Sequence, residues 1–165
     1  MRYLITGGSG FIGSAVIRHL IKHHHHEVIN IDKLTYAGTL ESTEEVSGSS
    51  LYSFVKADIC DYKKIKEILF EAKPDIILNL AAETHVDNSI TGPGNFINTN
   101  ILGTYNMLQV ALEYWESEIK HIDRRAEKFR FQHISTDEVF GDLTIEDPSF
   151  TEISRYKPSS PYSAS

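Results

Sequence analysis

The sequence has a single cysteine, Cys60, among its 165 residues. No intramolecular disulfide can form, which fits a reducing compartment, and the thiol is expected to serve as a small buried hydrophobe. Long hydrophobic runs are missing too, since none approaches the ~20 residues that cross a bilayer. The opening Met1-Arg2-Tyr3-Leu4-Ile5-Thr6 leads straight into a strand pattern without the layout of a signal peptide. Together these absences predict a soluble, cytoplasmic protein. Positive charge is scarce, with 16 basic residues against 23 acidic and a net charge of −7. Without a basic patch interleaved with aromatics, neither nucleic acid nor a membrane is an expected partner. Four consecutive histidines, His23, His24, His25 and His26, point in different directions and have no second Cys/His cluster at ligand spacing. They read as a solvated connection between a helix and a strand, and no metal site is expected.

What is present is one domain's worth of chain, 41% apolar, without internal repeats or low-complexity linkers. Short apolar strand patterns cover Arg2–Thr6, 28–31, 51–56, 75–80 and 129–134. Between them, residues 11–22, Tyr62–Ala72 (with Asp61 as N-cap) and 96–117 carry apolar side chains at helical spacing. The near-continuous run Asp75-Ile76-Ile77-Leu78-Asn79-Leu80 suits a strand buried on both faces. Strands alternating with helices predict an α/β fold with a doubly wound parallel sheet of about five strands. Residues 35–50 and 142–161 are the two long irregular connections, and such loops tend to be functional.

Two stretches carry chemistry. The first is Gly7-Gly8-Ser9-Gly10-Phe11-Ile12-Gly13, a glycine-rich turn between the first strand and the first helix. Its glycines allow the tight turn and close backbone approach to a pyrophosphate, which the free N–H groups of the helix start would hold. Asp32, at the end of the second strand roughly twenty residues on, is placed to accept hydrogen bonds from a ribose and to repel a 2′-phosphate, favouring NAD over NADP. The second is Ser135-Thr136-Asp137-Glu138-Val139-Phe140-Gly141, where two adjacent carboxylates follow the fifth strand. Ligands of an open parallel sheet sit beyond the carboxyl ends of its strands, and an acid and a base delivered there can work on neighbouring carbons of one substrate.

These residues resemble the extended short-chain dehydrogenase/reductase family and, within it, the nucleotide-sugar 4,6-dehydratases, those acting on dTDP-glucose in particular. The matching pieces run collinearly from the glycine turn through Asp32-Lys33-Leu34-Thr35-Tyr36-Ala37-Gly38, Asp58-Ile59, Leu80-Ala81-Ala82-Glu83-Thr84-His85-Val86-Asp87 and Asn100-Ile101-Leu102-Gly103-Thr104. They continue through the acidic stretch to Pro158-Ser159-Ser160-Pro161-Tyr162. The Thr-Asp-Glu tripeptide is the specific part, because sugar epimerases of similar build usually carry small residues at the two acidic positions.

The resemblance implies a Rossmann-type NAD-binding domain over residues 1–165. Gly7, Gly10, Phe11, Ile12 and Gly13 would meet the pyrophosphate. Asp32, Lys33, Leu34 and Thr35 would surround the adenosine ribose, and Asp58 and Ile59 the adenine. Leu80, Ala81, Ala82 and Thr99 would line the nicotinamide half, with Thr84 and Thr136 touching the sugar. Tyr162 would take the proton of the sugar 4-hydroxyl as C4 is oxidised. Glu138 would then remove the acidified C5 proton, Asp137 would protonate the departing 6-hydroxyl, and hydride would return to C6. Asp137 must then be protonated and Glu138 ionised, a split that a water-poor site would favour.

The family's lysine would fall one residue past Ser165, so the sequence is expected to be the N-terminal part of a longer enzyme, inactive alone and without the substrate domain. Its last strand would show an unpaired apolar edge. The full-length protein is expected to be a homodimer that packs the long helix against a partner. Two other readings stay open: a dehydratase, epimerase or decarboxylase acting on a UDP- or GDP-sugar, and a non-catalytic NAD-binding module.

Overall fold

The computed structural model describes residues 1–165. Five strands, β1 (Arg2–Thr6), β2 (Glu27–Asp32), β3 (Tyr52–Lys56), β4 (Ile76–Asn79) and β5 (Arg130–His133), form one sheet in the order β3-β2-β1-β4-β5. Every pairing is parallel. The chain winds outward from β1 first through β2 and β3, then back across to β4 and β5, so the switch point lies beside β1.

Alternation along the strands sorts the core into two layers. On β1 and β2, Leu4, Ile29 and Ile31 face one side, where Ile65, Leu69, Met107 and Tyr114 cover them from α3 (Tyr62–Ala72) and α6 (Thr104–Tyr114). Ile5 and Val28 face the other side, packed by Ile17 and Ile21 of α1 (Phe11–His24) and Val46 of the short α2 (Glu44–Ser47). The period of two in the strands and the stripes on α1 and α3 are thus the same pattern seen from either side of one interface. Asp61 caps α3 as expected, its carboxylate accepting the Lys64 N–H at 3.0 Å.

Other boundaries differ from the sequence expectation. Helix α1 runs on to His24, so His23 and His24 belong to its last turn, and His25 ends it in the left-handed region at φ 51°. The connection 35–50 is partly helical, with a 3₁₀ turn at Leu40–Thr43 ahead of α2. Residues 93–119 form one continuous helical rod rather than a plain α-helix over 96–117. It comprises α5 (Pro93–Phe96), a π-helical stretch Ile97–Gly103, α6, and a second π stretch Trp115–Ile119. Short helices α4 (Val86–Thr91), α7 (Asp123–Lys128) and α8 (Pro161–Ala164) lack a readable apolar period. The edge presented by β5 is not the apolar one anticipated: Arg130, Gln132 and His133 are exposed and only Phe131 is half-buried, against the α3–α6 core. A charged, four-residue edge is poorly suited to pairing with another chain. No helix is long and apolar enough to cross a membrane.

Candidate active site

Because all strands run parallel and β4 pairs in register with both β1 and β5, their carboxyl ends share one rim. A cleft of roughly 1060 Å³ opens there. Gly7, Gly10, Phe11, Ile12 and Gly13 line it from the β1–α1 turn, and Asp32, Lys33 and Thr35 from the exit of β2. Asp58 and Ile59 follow β3, and Leu80, Ala81, Ala82 and Thr84 follow β4, while Thr99 approaches from the π-helical stretch. Thr136, Asp137 and Tyr162 close the far end. Two of the residues singled out from sequence stand outside this wall. Leu34, at φ 58°, turns its N–H back to Asp32 Oδ1 at 2.8 Å, and Glu138 projects to solvent.

The turn that opens the cleft is built for a close approach. Gly7 has φ 70°, and a Cβ there would sit 2.7 Å from the Ala81 backbone nitrogen. The first turn of α1 has no side-chain cap, since Gly10 is the N-cap, so its N–H groups face the cleft unpaired by side chains and favour an anion. Asp32 anchors the turn from β2, its Oδ2 accepting the Ser9 N–H at 3.0 Å. A carboxylate has about four acceptor positions, so Asp32 retains capacity for hydroxyls entering the cleft.

A polar chain, buried at Thr6 and Asn79 and unmarked by any sequence motif, holds the rim together. The Thr6 hydroxyl donates to Asn79 Oδ1 at 2.6 Å and accepts the Ala81 N–H at 3.2 Å. This fixes the Asn79 amide so that Nδ2 faces His133 Nδ1 at 3.1 Å and Thr104 Oγ1 at 3.4 Å. His133 therefore accepts at Nδ1 and, when neutral, carries its proton on Nε2; partial desolvation lowers its pKa from the usual value. Asn100 secures the next segment: its Oδ1 accepts the Glu83 N–H at 2.8 Å, and its Nδ2 donates to the Glu83 carbonyl at 3.0 Å. The visible signal was an asparagine inside the apolar run ending β4, which is costly to bury without partners.

Lys33 reaches across the cleft floor, with Nζ 3.4 Å from Asp58 Oδ2 and 3.5 Å from Thr99 Oγ1. Burial opposes ionisation of Asp58, but the Cys60 N–H, the Cys60 thiol and the Lys33 ammonium outweigh it and hold the carboxyl below its usual range. The same neighbourhood raises Cys60: burial first, then the Asp58 carboxylate, push the thiol up to about 11. Cys60 is half-buried against the core, as a small hydrophobe would be. With the thiolate as the reactive form, Cys60 should react with a disulfide reagent at pH 8 roughly a hundredfold more slowly than free cysteine; a kinetic thiol titration of the native protein checks this.

The acidic stretch folds as a 3₁₀ turn, Asp137–Phe140, started by Thr136, whose hydroxyl oxygen accepts the Glu138 N–H at 3.2 Å. Both carboxylates are exposed, so the water-poor setting expected to separate their proton affinities is not found around them. The long connection 142–160 returns across this turn. The Lys157 N–H donates to the Val139 carbonyl at 2.9 Å, and the rings of Phe140 and Tyr156 stack 5.5 Å apart. That return delivers Tyr162 to the cleft on α8, which a Ser160–Ser163 capping box starts, with the Tyr162 ring edge-on to buried Phe96 at 6.4 Å.

Residues 4–165 match the sequence profile of the GDP-mannose 4,6 dehydratase family. The chain belongs to this family. Among its relatives, a dTDP-glucose 4,6-dehydratase of Salmonella typhimurium is 55% identical over 100% of this chain and 47% of its own length. One from Haemophilus influenzae is 54% identical over 100% of this chain and 48% of its own. The chain thus spans about half the length of the curated relatives it matches. Among solved structures, the dTDP-glucose 4,6-dehydratase DesIV of Streptomyces venezuelae, with NAD and TYD bound, superposes with a TM-score of 0.84 at 40% identity. That match covers 99% of this chain and 48% of DesIV. A UDP-glucose 4-epimerase of Thermotoga maritima superposes with a TM-score of 0.81 at 28% identity over 99% of this chain and 47% of its own, so it is the residues on the rim that must distinguish among such proteins.

Proposed function

We propose that the whole protein dehydrates dTDP-glucose to its 4-keto-6-deoxy product, with residues 1–165 forming the NAD-binding domain. The observation that carries this reading is the placement of Asp137 on the cleft whose other end is the glycine turn. NAD suits the residues present: the Gly7 turn leaves no room for a side chain, the α1 N–H groups are free for a diphosphate, and Asp32 lines the cleft with acceptor capacity for ribose hydroxyls. When bound, it supplies a store for the hydride taken from the sugar.

In this reading Gly7, Gly10, Phe11, Ile12 and Gly13 seat the pyrophosphate. Asp32, Lys33, Leu34 and Thr35 serve the adenosine ribose, Asp58 and Ile59 the adenine, and Leu80, Ala81, Ala82 and Thr99 the nicotinamide half. Thr84 and Thr136 orient the hexose. Tyr162 accepts the proton of its 4-hydroxyl, Asp137 donates one to the departing 6-hydroxyl, and Glu138, exposed beside the cleft wall in this structure, turns inward to take the proton from C5. Proton transfers of this kind contribute typically 10²–10⁴-fold each. The relatives' names and the NAD in DesIV support the assignment. Offering dTDP-glucose and UDP-glucose in parallel to the whole protein tests it. A C6 methyl signal appearing by NMR only from the dTDP sugar is expected, and inversion at C4 without a methyl would make the protein an epimerase.

The whole protein also works as a homodimer in this proposal. Ile97, Ile101, Tyr105, Leu108 and Leu112 recur along the 93–119 rod at helical spacing, and each is about half exposed, forming one apolar stripe. Contiguous exposed apolar surface is a mark of interaction sites; sedimentation equilibrium of the whole protein should give twice the chain mass. A cytoplasmic setting suits the lone free thiol, and cell fractionation would check it.

A further inference from the structure

The histidine run, expected to point outward in four directions, is joined in the structure by a fifth imidazole from the helix before it. His19 lies one turn back on α1, and its ring stands 5.0 Å from that of His23 and 5.0 Å from that of His24. The Nε2 atoms of His19 and His24 are 3.2 Å apart. Positions five apart do not share a face of a regular α-helix, but His24 is the last helical residue, next to the left-handed exit at His25, and its side chain wraps back.

A separation of 3.2 Å fits a chelate as well as a hydrogen bond. Two nitrogens each bound at about 2.0–2.1 Å to one cation stand roughly 3–3.4 Å apart in octahedral or tetrahedral geometry. Imidazole suits zinc, nickel and copper, whereas magnesium and calcium prefer oxygen. The carboxyl end of a 14-residue helix carries negative dipole charge, which favours a cation at this end. Both rings are exposed, so a hydrated ion can reach them. The helix length, about 1.5 Å per residue, puts this spot roughly 20 Å from the glycine turn, so it is separate from the cleft.

We propose that His19 and His24 form a two-imidazole site for a borderline divalent transition metal, zinc being the probe of choice, which pins the last turn of α1 where the chain turns into β2. No third imidazole, thiol or carboxylate converges on the same point, so water completes the coordination.

Calorimetric titration of untagged protein with Zn²⁺ tests this, comparing the wild type with His19→Ala, His24→Ala and His25→Asn, the last chosen because asparagine tolerates the left-handed backbone. The expected result is one saturable Zn²⁺ site per chain, no heat with Mg²⁺, at least tenfold weaker binding in H19A and in H24A, and less than a twofold change in H25N. Zn²⁺ should also raise the thermal midpoint of the wild type but not of H19A, and circular dichroism confirms that each variant folds. Equal Zn²⁺ binding in all four proteins, an equal loss in H25N, or no saturable binding to the wild type would each overturn the proposal.

Discussion

Replacing Asp137 by asparagine in the whole protein is expected to lower turnover of dTDP-glucose by about 10²–10⁴-fold, with NAD affinity changed by less than about threefold. Asparagine keeps the size and polarity of the side chain but cannot hand over a proton. The framework around it should survive, because the turn is held by backbone and by Thr136. The Thr136 hydroxyl accepts the Glu138 N–H, and the Lys157 N–H reaches the Val139 carbonyl. The Asp137 carboxylate has one weak contact, 3.5 Å to the Thr136 hydroxyl, and is exposed. Exposed substitutions of this kind usually shift stability by less than about 0.5 kcal/mol. Glu138→Gln is the companion change. It should remove exchange of the C5 hydrogen with solvent, whereas Asp137→Asn should spare that exchange and block loss of the 6-hydroxyl. Steady-state rates and NMR exchange measured on both variants separate the roles; a rate within threefold of wild type for D137N would reduce the carboxylate to a solvated loop residue.

The second large effect is expected at Gly13. A Cβ added there would lie 2.3 Å from the Gly7 carbonyl oxygen and 2.7 Å from the Gly8 Cα, both backbone atoms that cannot swing aside. Gly13→Ala must therefore push α1 away from the turn. Overpacking of this sort costs about 1–3 kcal/mol, and displacement of the helix start should raise the NAD dissociation constant at least tenfold, or about 1.4 kcal/mol. Gly94 is the control: a Cβ there meets nothing within 4 Å, and the residue sits in α5. Gly94→Ala should leave NAD binding unchanged and stabilise slightly, by up to about 1 kcal/mol. Urea unfolding and calorimetry with NAD check both variants.

What could be read from the sequence follows from range. The five strands, α1, α3 with its Asp61 cap and the glycine turn are written in residues close together, where periodicity and capping act directly. The cleft followed because a parallel topology forces strand ends to one rim, and so Asp137 and Gly7 line opposite ends of one cleft. The Thr6–Asn79–His133 chain could not be read, since it depends on the register of β4 against β1 and β5. The π-helical stretch at Ile97–Gly103 likewise left no trace in the apolar spacing. The exposure of Asp137 and Glu138 also ran against expectation, because adjacency in sequence says nothing about what covers a loop. His19 and His24 escaped notice for a related reason: their meeting depends on the helix ending where it does.

The proposed reaction requires the carboxylates beyond β5 to serve the cofactor site beyond β1. Running the whole protein with dTDP-glucose in D₂O and reading the product by NMR tests it most directly. One solvent deuterium at C5 and a C6 methyl that retains the hydrogen originally on C4 are the expected result. A product bearing the substrate's own C5 hydrogen, or a C6 methyl labelled from solvent in place of that C4 hydrogen, would contradict it.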